Sequence, residues 1–319
     1  MILKNILTAL CSGALLFAVT CQDPASPDLN NNNTNTTDEN PFGVFRLLID
    51  QEAHSTSFSG ALNDGETPTS PVESVMKEGE LELLVKQSPF CEPCGSKAIC
   101  VADDSCAPYP TKISAGTVTI SGVNLANGSP SFTANTIGIL KLYSASIDFA
   151  DPPFSAVDTI TLTAAGDEVD AFQLQALGIE PITVLSDSIV LTDGDPIDLA
   201  WTPPSVSGTT IMNVELNISY HGANIATIIG DCEDDGSLQI PAGMLTELKR
   251  YGISGFPKIT LTRRSKSGVS ETSRAQLVVE AVRVVYLNVP GLISCNPGNP
   301  DACPEGMTCT DDRRCVVEE

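Results

Sequence analysis

Eight of the eleven cysteines in this 319-residue chain fall into two groups built on one frame. CGSKAICVADDSC, from Cys94 to Cys106, and CPEGMTCTDDRRC, from Cys303 to Cys315, both read C-x5-C-x5-C, with an Asp pair between the second and third cysteines. Cys91 and Cys295 stand ahead of these frames, so the groups are Cys91, Cys94, Cys100, Cys106 and Cys295, Cys303, Cys309, Cys315. Thiols at such spacings can hold a metal, exchange disulfides or close loops as cystines. Structural zinc usually takes two short-spaced pairs, and only Cys91 and Cys94 form one. A redox CxxC needs an exposed, acidified thiol at the start of a helix in a βαβ unit. Here the pair sits among Pro and Gly in FCEPCGSKAIC, after a strand-like ELELLVK. Disulfides are the expected state. Three pairings are open within each group; first with third and second with fourth is the expectation adopted. Once Cys11 and Cys21 are set aside with the leader, nine cysteines remain. The odd one, Cys232, reads as a buried free thiol or as a half-cystine to a mismatched group.

Carboxylates give the second candidate. DCEDDGS places Asp231, Glu233 and Asp235 ahead of Gly236, as in the first half of an EF-hand loop. The twelfth position is Ala242, where that loop needs a bidentate Glu, so an intact EF-hand is excluded. A looser calcium site in a β-sandwich loop, joined by Asp193 and Asp195 of LTDGDP, remains open, and calcium is the one cofactor the sequence suggests. The competing reading is a solvated acidic turn, with Asp and Gly chosen for turn geometry. The two histidines, His54 in QEAHSTS and His221 in SYHGAN, read as exposed turn residues. The sequence has no GxSxG elbow, no HExxH and no glycine-rich phosphate loop. A glycosidase would need facing carboxylates in an aromatic cleft, but the chain has one Trp, five Tyr and ten Phe, and Trp201 reads as core. An extracellular hydrolase working through acidic residues, with or without calcium, is therefore the alternative to a non-catalytic binding or structural module.

The elements that position these groups are expected to be strands. Hydrophobic residues make up 42% of the chain and charged residues 18%, with 24 Gly and 22 Pro, a β-rich and loop-rich profile. The length allows two ordinary domains with real cores. A formal charge of −23 repels phosphate backbones, so nucleic acid is not an expected partner.

MILKNILTALCSGALLFAVT, residues 1–20, carries a Lys and then an apolar run from Ile6 to Val19, which reads as a secretory signal rather than a membrane span. The segment FAVTC, ending at Cys21, resembles a bacterial lipobox. That resemblance implies a lipidated Cys21, a membrane partner through the lipid, and a cell-envelope location; Gln22 resembles the residue of lipoproteins sorted to the outer membrane. QDPASPDLNNNNTNTTDENP, residues 22–41, is too polar to offset its ordering entropy and reads as a disordered tether.

Beyond it, FGVFRLLID (Phe42 to Asp50) and GELELLVKQ (Gly79 to Gln87) alternate as half-buried strands, and the residues between them read as a polar loop. GTVTISGV, TIGILKLYSASIDF, DTITLTAAG, DAFQLQAL and SDSIVLTDGD continue the β signal at sandwich-like spacing. DPIDLAWTPP, NVELNISY with Val214, Leu216 and Ile218 on one face, and PKITLTRRSKSGVSETSRAQLVVEAVRVVYL resemble strands of a fibronectin type III domain over about Ile189 to Val289. Phe256 stands where that fold usually has Tyr, and CEDDGSLQIPAGMLTELKRYG is an insertion in which AGMLTELKR reads as a short helix. The C-terminal CNPGNPDACPEGMTCTDDRRCVVEE resembles the small cysteine-rich repeats of Dickkopf N-terminal and EGF-like kinds, ordered by disulfides in place of a core. The expected architecture is all-β: two β-sandwich-like domains at 42–188, with the cysteine knuckle 91–106, and at 189–290, then a cysteine-rich segment at 291–319. The expected partner is a surface protein or polysaccharide.

Overall fold

The computed structural model describes residues 40–317, except 93, 187–188, 193, 219–224, 254–255, 297, 299–302 and 312. The leader, Cys21, the tether up to residue 39, Asp193 and His221 thus lie outside the described residues.

The chain is all-β, with 22 strands and one helix among the described residues. The first strands are β1 (Gly43–Asp50), β2 (Ser55–Asn63), β3 (Val72–Glu78) and β4 (Leu81–Lys86); the first cysteine group supplies β5 (Ala98–Ala102) and β6 (Ser105–Pro108). Next come β7 (Lys112–Ile113), β8 (Val118–Ser121), β9 (Ser131–Ala134), β10 (Thr136–Ile137), β11 (Leu142–Ala145), β12 (Thr159–Ala164) and β13 (Phe172–Leu177). Then follow β14 (Ile189–Val190), β15 (Ile197–Ala200), β16 (Ile211–Asn217), β17 (Ala226–Glu233), β18 (Ser237–Ile240), the helix α1 (Ala242–Lys249), β19 (Lys258–Lys266) and β20 (Ala275–Asn288). The second cysteine group ends in β21 (Met307–Cys309) and β22 (Cys315–Val317).

Period-two side-chain alternation explains the inward faces. In β1, Phe45, Leu47 and Ile49 are buried while Arg46 is exposed. In β16, Val214 and Leu216 are buried, as is Ile218 beyond its end. Residues 51–78, expected as a polar loop, instead contain β2 and β3. The reason is physical. β2 is rich in Ser, Gly and Ala and buries only Phe58, Gly60 and Leu62, whereas β3 has no buried residue and so shows no apolar period.

One 12-stranded sheet runs β10-β11-β2-β1-β20-β19-β16-β17-β4-β3, with β14 added on β20 and β7 on β2. It crosses the 188/189 division drawn from the sequence. β1 pairs in parallel with β20, Phe45 opposite Leu277 and Leu47 opposite Val279, and β17 pairs with β4. β20 buries Leu277, Val278, Val279, Glu280 and Ala281 in succession, a continuous run that suits a strand covered on both faces and flanked on both edges. Periodicity marks such a strand without saying which neighbour flanks it.

A second sheet, β13-β12-β8-β9, packs over the first. Phe45 lies 5.2 Å from Tyr143 and 6.3 Å from Phe172 between ring centroids, Phe58 lies 5.3 Å from Phe132, and the Leu177 amide donates to Ser265 Oγ at 3.0 Å. Gly60, opposite Phe45, leaves room for that ring, since a Cβ there would sit 2.4 Å from Phe45 Cδ1. Trp201, which directly follows β15 of the β15–β18 pair, is 1% exposed, and α1 buries Met244, Leu245 and Leu248.

The sheet has two distinct ends. At the first, β1 starts, beside Leu62 of β2. At the second, β1 finishes; the register Leu48–Glu280–Arg264–Ile211–Glu233 carries that level across to the last residue of β17.

Candidate functional site

The acidic turn after β17 occupies the second end of the sheet. Strand parity continues beyond the last paired residue: Cys232 points in, Glu233 out, Asp234 in and Asp235 out. The carboxylate that the calcium pattern passes over, Asp234, is therefore the buried one. Its Oδ1 accepts from Trp201 Nε1 at 2.8 Å and Arg263 Nη2 at 3.0 Å, and its Oδ2 accepts from Thr210 Oγ1 at 2.6 Å and Arg263 Nε at 2.6 Å. Both members of the ion pair are 1% exposed. Arg263 spends its remaining N–H groups on backbone carbonyls, Nη1 on Glu180 and Pro181 and Nη2 on Thr202 at 2.7 Å. All five guanidinium donors are thus used, the condition under which a buried charge is tolerated. The knot ties the end of β17 to β19, to the 180–181 segment and to the residues after β15. Parity of β17 was the signal that could have found it.

The three predicted calcium ligands have separate surroundings. Asp231 accepts from Asn213 Nδ2 at 2.8 Å and lies 3.6 Å from Arg264. Asp235 accepts from the Ser237 amide at 3.2 Å, a local turn closed by Gly236 at φ 104°, where a Cβ would approach the Trp201 carbonyl to 2.9 Å. Glu233 is exposed. Among the described residues, the groups of three or more ligand atoms within 4.8 Å of one another are Cys91, Cys94, Cys100 and Cys295, Cys303, Cys309; Asp231, Glu233 and Asp235 form no such group. Asp195 is exposed and accepts from Thr192 Oγ1 at 2.8 Å. Glu80, in the turn between β3 and β4, completes the acidic surface. Partial burial, then the charges of Glu233 and Asp235, hold its carboxyl above the usual range.

Cys232 is free and buried, its thiol donating to the Met212 carbonyl at 3.4 Å. Burial first, and then the acidic groups Glu80, Asp235, Asp234 and Asp231, push its pKa up to about 12, which keeps it a thiol rather than a nucleophilic thiolate. His54 is exposed in the turn between β1 and β2, in a left-handed conformation at φ 49°.

The cysteine frames share one topology. Cys91 bonds Cys100 and Cys94 bonds Cys106; Cys295 bonds Cys309 and Cys303 bonds Cys315. In each, the last two cysteines face each other across a hairpin, Cys100 opposite Cys106 and Cys309 opposite Cys315, while both reach back to the preceding segment. The residue four beyond the third cysteine is left-handed in both turns, Asp104 at φ 56° and Arg313 at φ 57°. Asp103 Oδ1 accepts from the Phe90 amide at 2.8 Å, so one member of the first Asp pair closes its own loop. The thiol positions that metal binding would need are therefore occupied by S–S bonds.

Residues 40–41, 66–69 and 107–108 line an open groove at the root of β1. No helix among the described residues is long and apolar enough to cross a membrane.

No family model matches the chain, and no curated protein matches it. Among solved structures, the crystal structure of a tetra-tandem repeat in the extending region of a large adhesion protein aligns with 81% of this chain and 78% of its own, at 11% identity and a TM-score of 0.17. At those values the likeness carries no argument.

Proposed function

We propose that this chain is a cell-envelope lipoprotein, held in the outer membrane through Cys21, that acts as a non-catalytic binding or structural interaction module toward a surface protein or polysaccharide. One observation carries the non-catalytic part: the most deeply buried carboxylate, Asp234, has both oxygens committed to Trp201, Thr210 and Arg263. Groups locked into a structural knot leave recognition to the loops and hairpins that the sheets hold out to solvent. In this reading residues 189–290 are a fibronectin type III-like module with Trp201 as its core tryptophan, and the two frames are staples of the Dickkopf or EGF-like kind. A second reading, a carboxylate-based hydrolase, draws on the acidic surface where Glu80 meets Glu233 and Asp235, whose charges add to partial burial in raising the Glu80 carboxyl.

Two measurements test these readings. Cys21→Ala should move the protein from the membrane to the soluble fraction; unchanged fractionation argues against the anchor. Full-length protein incubated with envelope polysaccharides should bind without releasing reducing ends. Release that disappears in Glu80→Gln supports the hydrolase instead.

A further inference from the structure

The hairpin β10–β11 ends in an aliphatic tip that the fold does not cover. Ile137 is 57% exposed, Ile139 95%, Leu140 58% and Leu142 38%. Apolar side chains scattered singly over a surface need no explanation, but four on one hairpin tip form a contiguous patch. The tip is also a gap in the charge pattern. Ser121 to Ile147 holds one charged residue, Lys141, in a chain of net charge −23, and Lys141 is bound to Glu168. Nothing acidic on the hairpin opposes contact with a low-dielectric phase.

Its place in the fold says which phase. Tyr143 of β11 lies opposite Gly60 of β2, and Gly60 lies opposite Phe45 of β1. β11 is antiparallel to β2, so moving from Tyr143 back through Leu142 to the tip leads toward the level of Gly43. The tip therefore sits at the first end of the sheet, where β1 starts, two strand spacings or about 10 Å to the side. The chain outside the structure joins at this end: residue 40 is the first described, and 19 positions separate it from Cys21, a span of at most roughly 65 Å even if fully extended. The acidic turn lies at the other end.

We infer that the Ile137–Leu142 hairpin tip inserts into the headgroup region of the same bilayer that holds Cys21, resting the first end of the sheet on the membrane and turning the acidic end away. The inference rests on the lipid-anchored reading. Aliphatic side chains whose one charged companion, Lys141, is neutralised by Glu168 suit a zwitterionic interface, where insertion is driven by apolar burial rather than by attraction to anionic lipid.

The test uses the full chain, its acylation verified by intact mass, in vesicles of phosphatidylethanolamine and phosphatidylcholine with or without brominated acyl chains. Leu140→Trp should show blue-shifted emission that is lost with brominated lipid. Val206→Trp, at the opposite end, should keep its emission, and the buried Trp201 supplies a constant background. If the acylated protein floats with the vesicles while Leu140→Trp stays unquenched, the tip inference falls and the anchor stands. If Cys21 carries no lipid, both fall. A Leu140→Trp blue shift that appears without vesicles, grows with protein concentration and accompanies a dimer in sedimentation overturns the inference in favour of a second copy of the chain.

Discussion

In β1 alternate side chains are withdrawn from water, whereas in β5, β6, β21 and β22 none is buried. Both regions are β hairpins and sheets, but they hold their shape by different means. The large sheet buries apolar faces on two sides, and at its end a guanidinium–carboxylate pair is enclosed as well, because the segments around Glu180, Thr202 and Asp234 supply five acceptors for Arg263. The frames bury little and rely on crosslinks spanning 9 to 14 residues, which act mainly by restricting the unfolded chain. Order from packing is global, so disturbing it anywhere costs the whole sheet. Order from crosslinks is local.

The largest test of that contrast is Asp234→Ala, which strands a buried Arg263. It should lower unfolding free energy in urea by about 3–5 kcal/mol. A loss below about 1 kcal/mol, the size of an exposed pair, would mean the knot is not dry. Next, Cys303→Ser combined with Cys315→Ser should remove about 3 kcal/mol of local order. Amide exchange in β21 and β22 should lose protection while the unfolding midpoint of the sheet stays in place; a falling midpoint would show that the frame and sheet unfold together. Smaller still, Gly60→Ala should cost about 1–3 kcal/mol in thermal unfolding, because the added methyl meets the Phe45 ring.

The smallest effects are electrostatic and opposite in sign. Glu80 has a raised pKa in the fold, so the folded state binds its proton more tightly than the unfolded chain does, and stability falls as pH rises above 4.5. Glu80→Gln should therefore raise the melting temperature at neutral pH and have no effect well below 4.5. Glu168 is lowered by its bonds from Lys141 and the Ser114 amide, so its contribution is present above 4.5 and lost as pH falls through its depressed value. Glu168→Gln should lower the melting temperature at neutral pH, with the difference closing in acid. Melting curves for both variants across that range check the two signs together.

What could be read from the chain beforehand follows the same physics. β1 and β4 alternate because one face of each is buried. β16 instead alternates in polarity, Val214 and Leu216 on one face and the buried Asn213 and Asn217 on the other, and the inward residues of NVELNISY were visible from that alternation. β3 left no trace because neither of its faces is buried, and β2 left little because Gly60 is there to make room for a ring on another strand. The partnership of β1 with β20 joins residues more than two hundred positions apart, beyond the reach of any local pattern. Asp234 looked like its acidic neighbours; only the parity of β17 separates it from them.

The parallel ladder between β1 and β20 also sets how the molecule bears load. A pull applied ahead of Gly43 and behind Asn288 drags two side-by-side strands in opposite directions along their length, so the eight paired positions from Gly43 to Asp50 are strained in shear together rather than unzipped one by one. Rupture under force is governed by the unfolding barrier, and this geometry places that barrier across the longest-range pairing in the fold, making the joint between the chain's first and last long strands its tensile member.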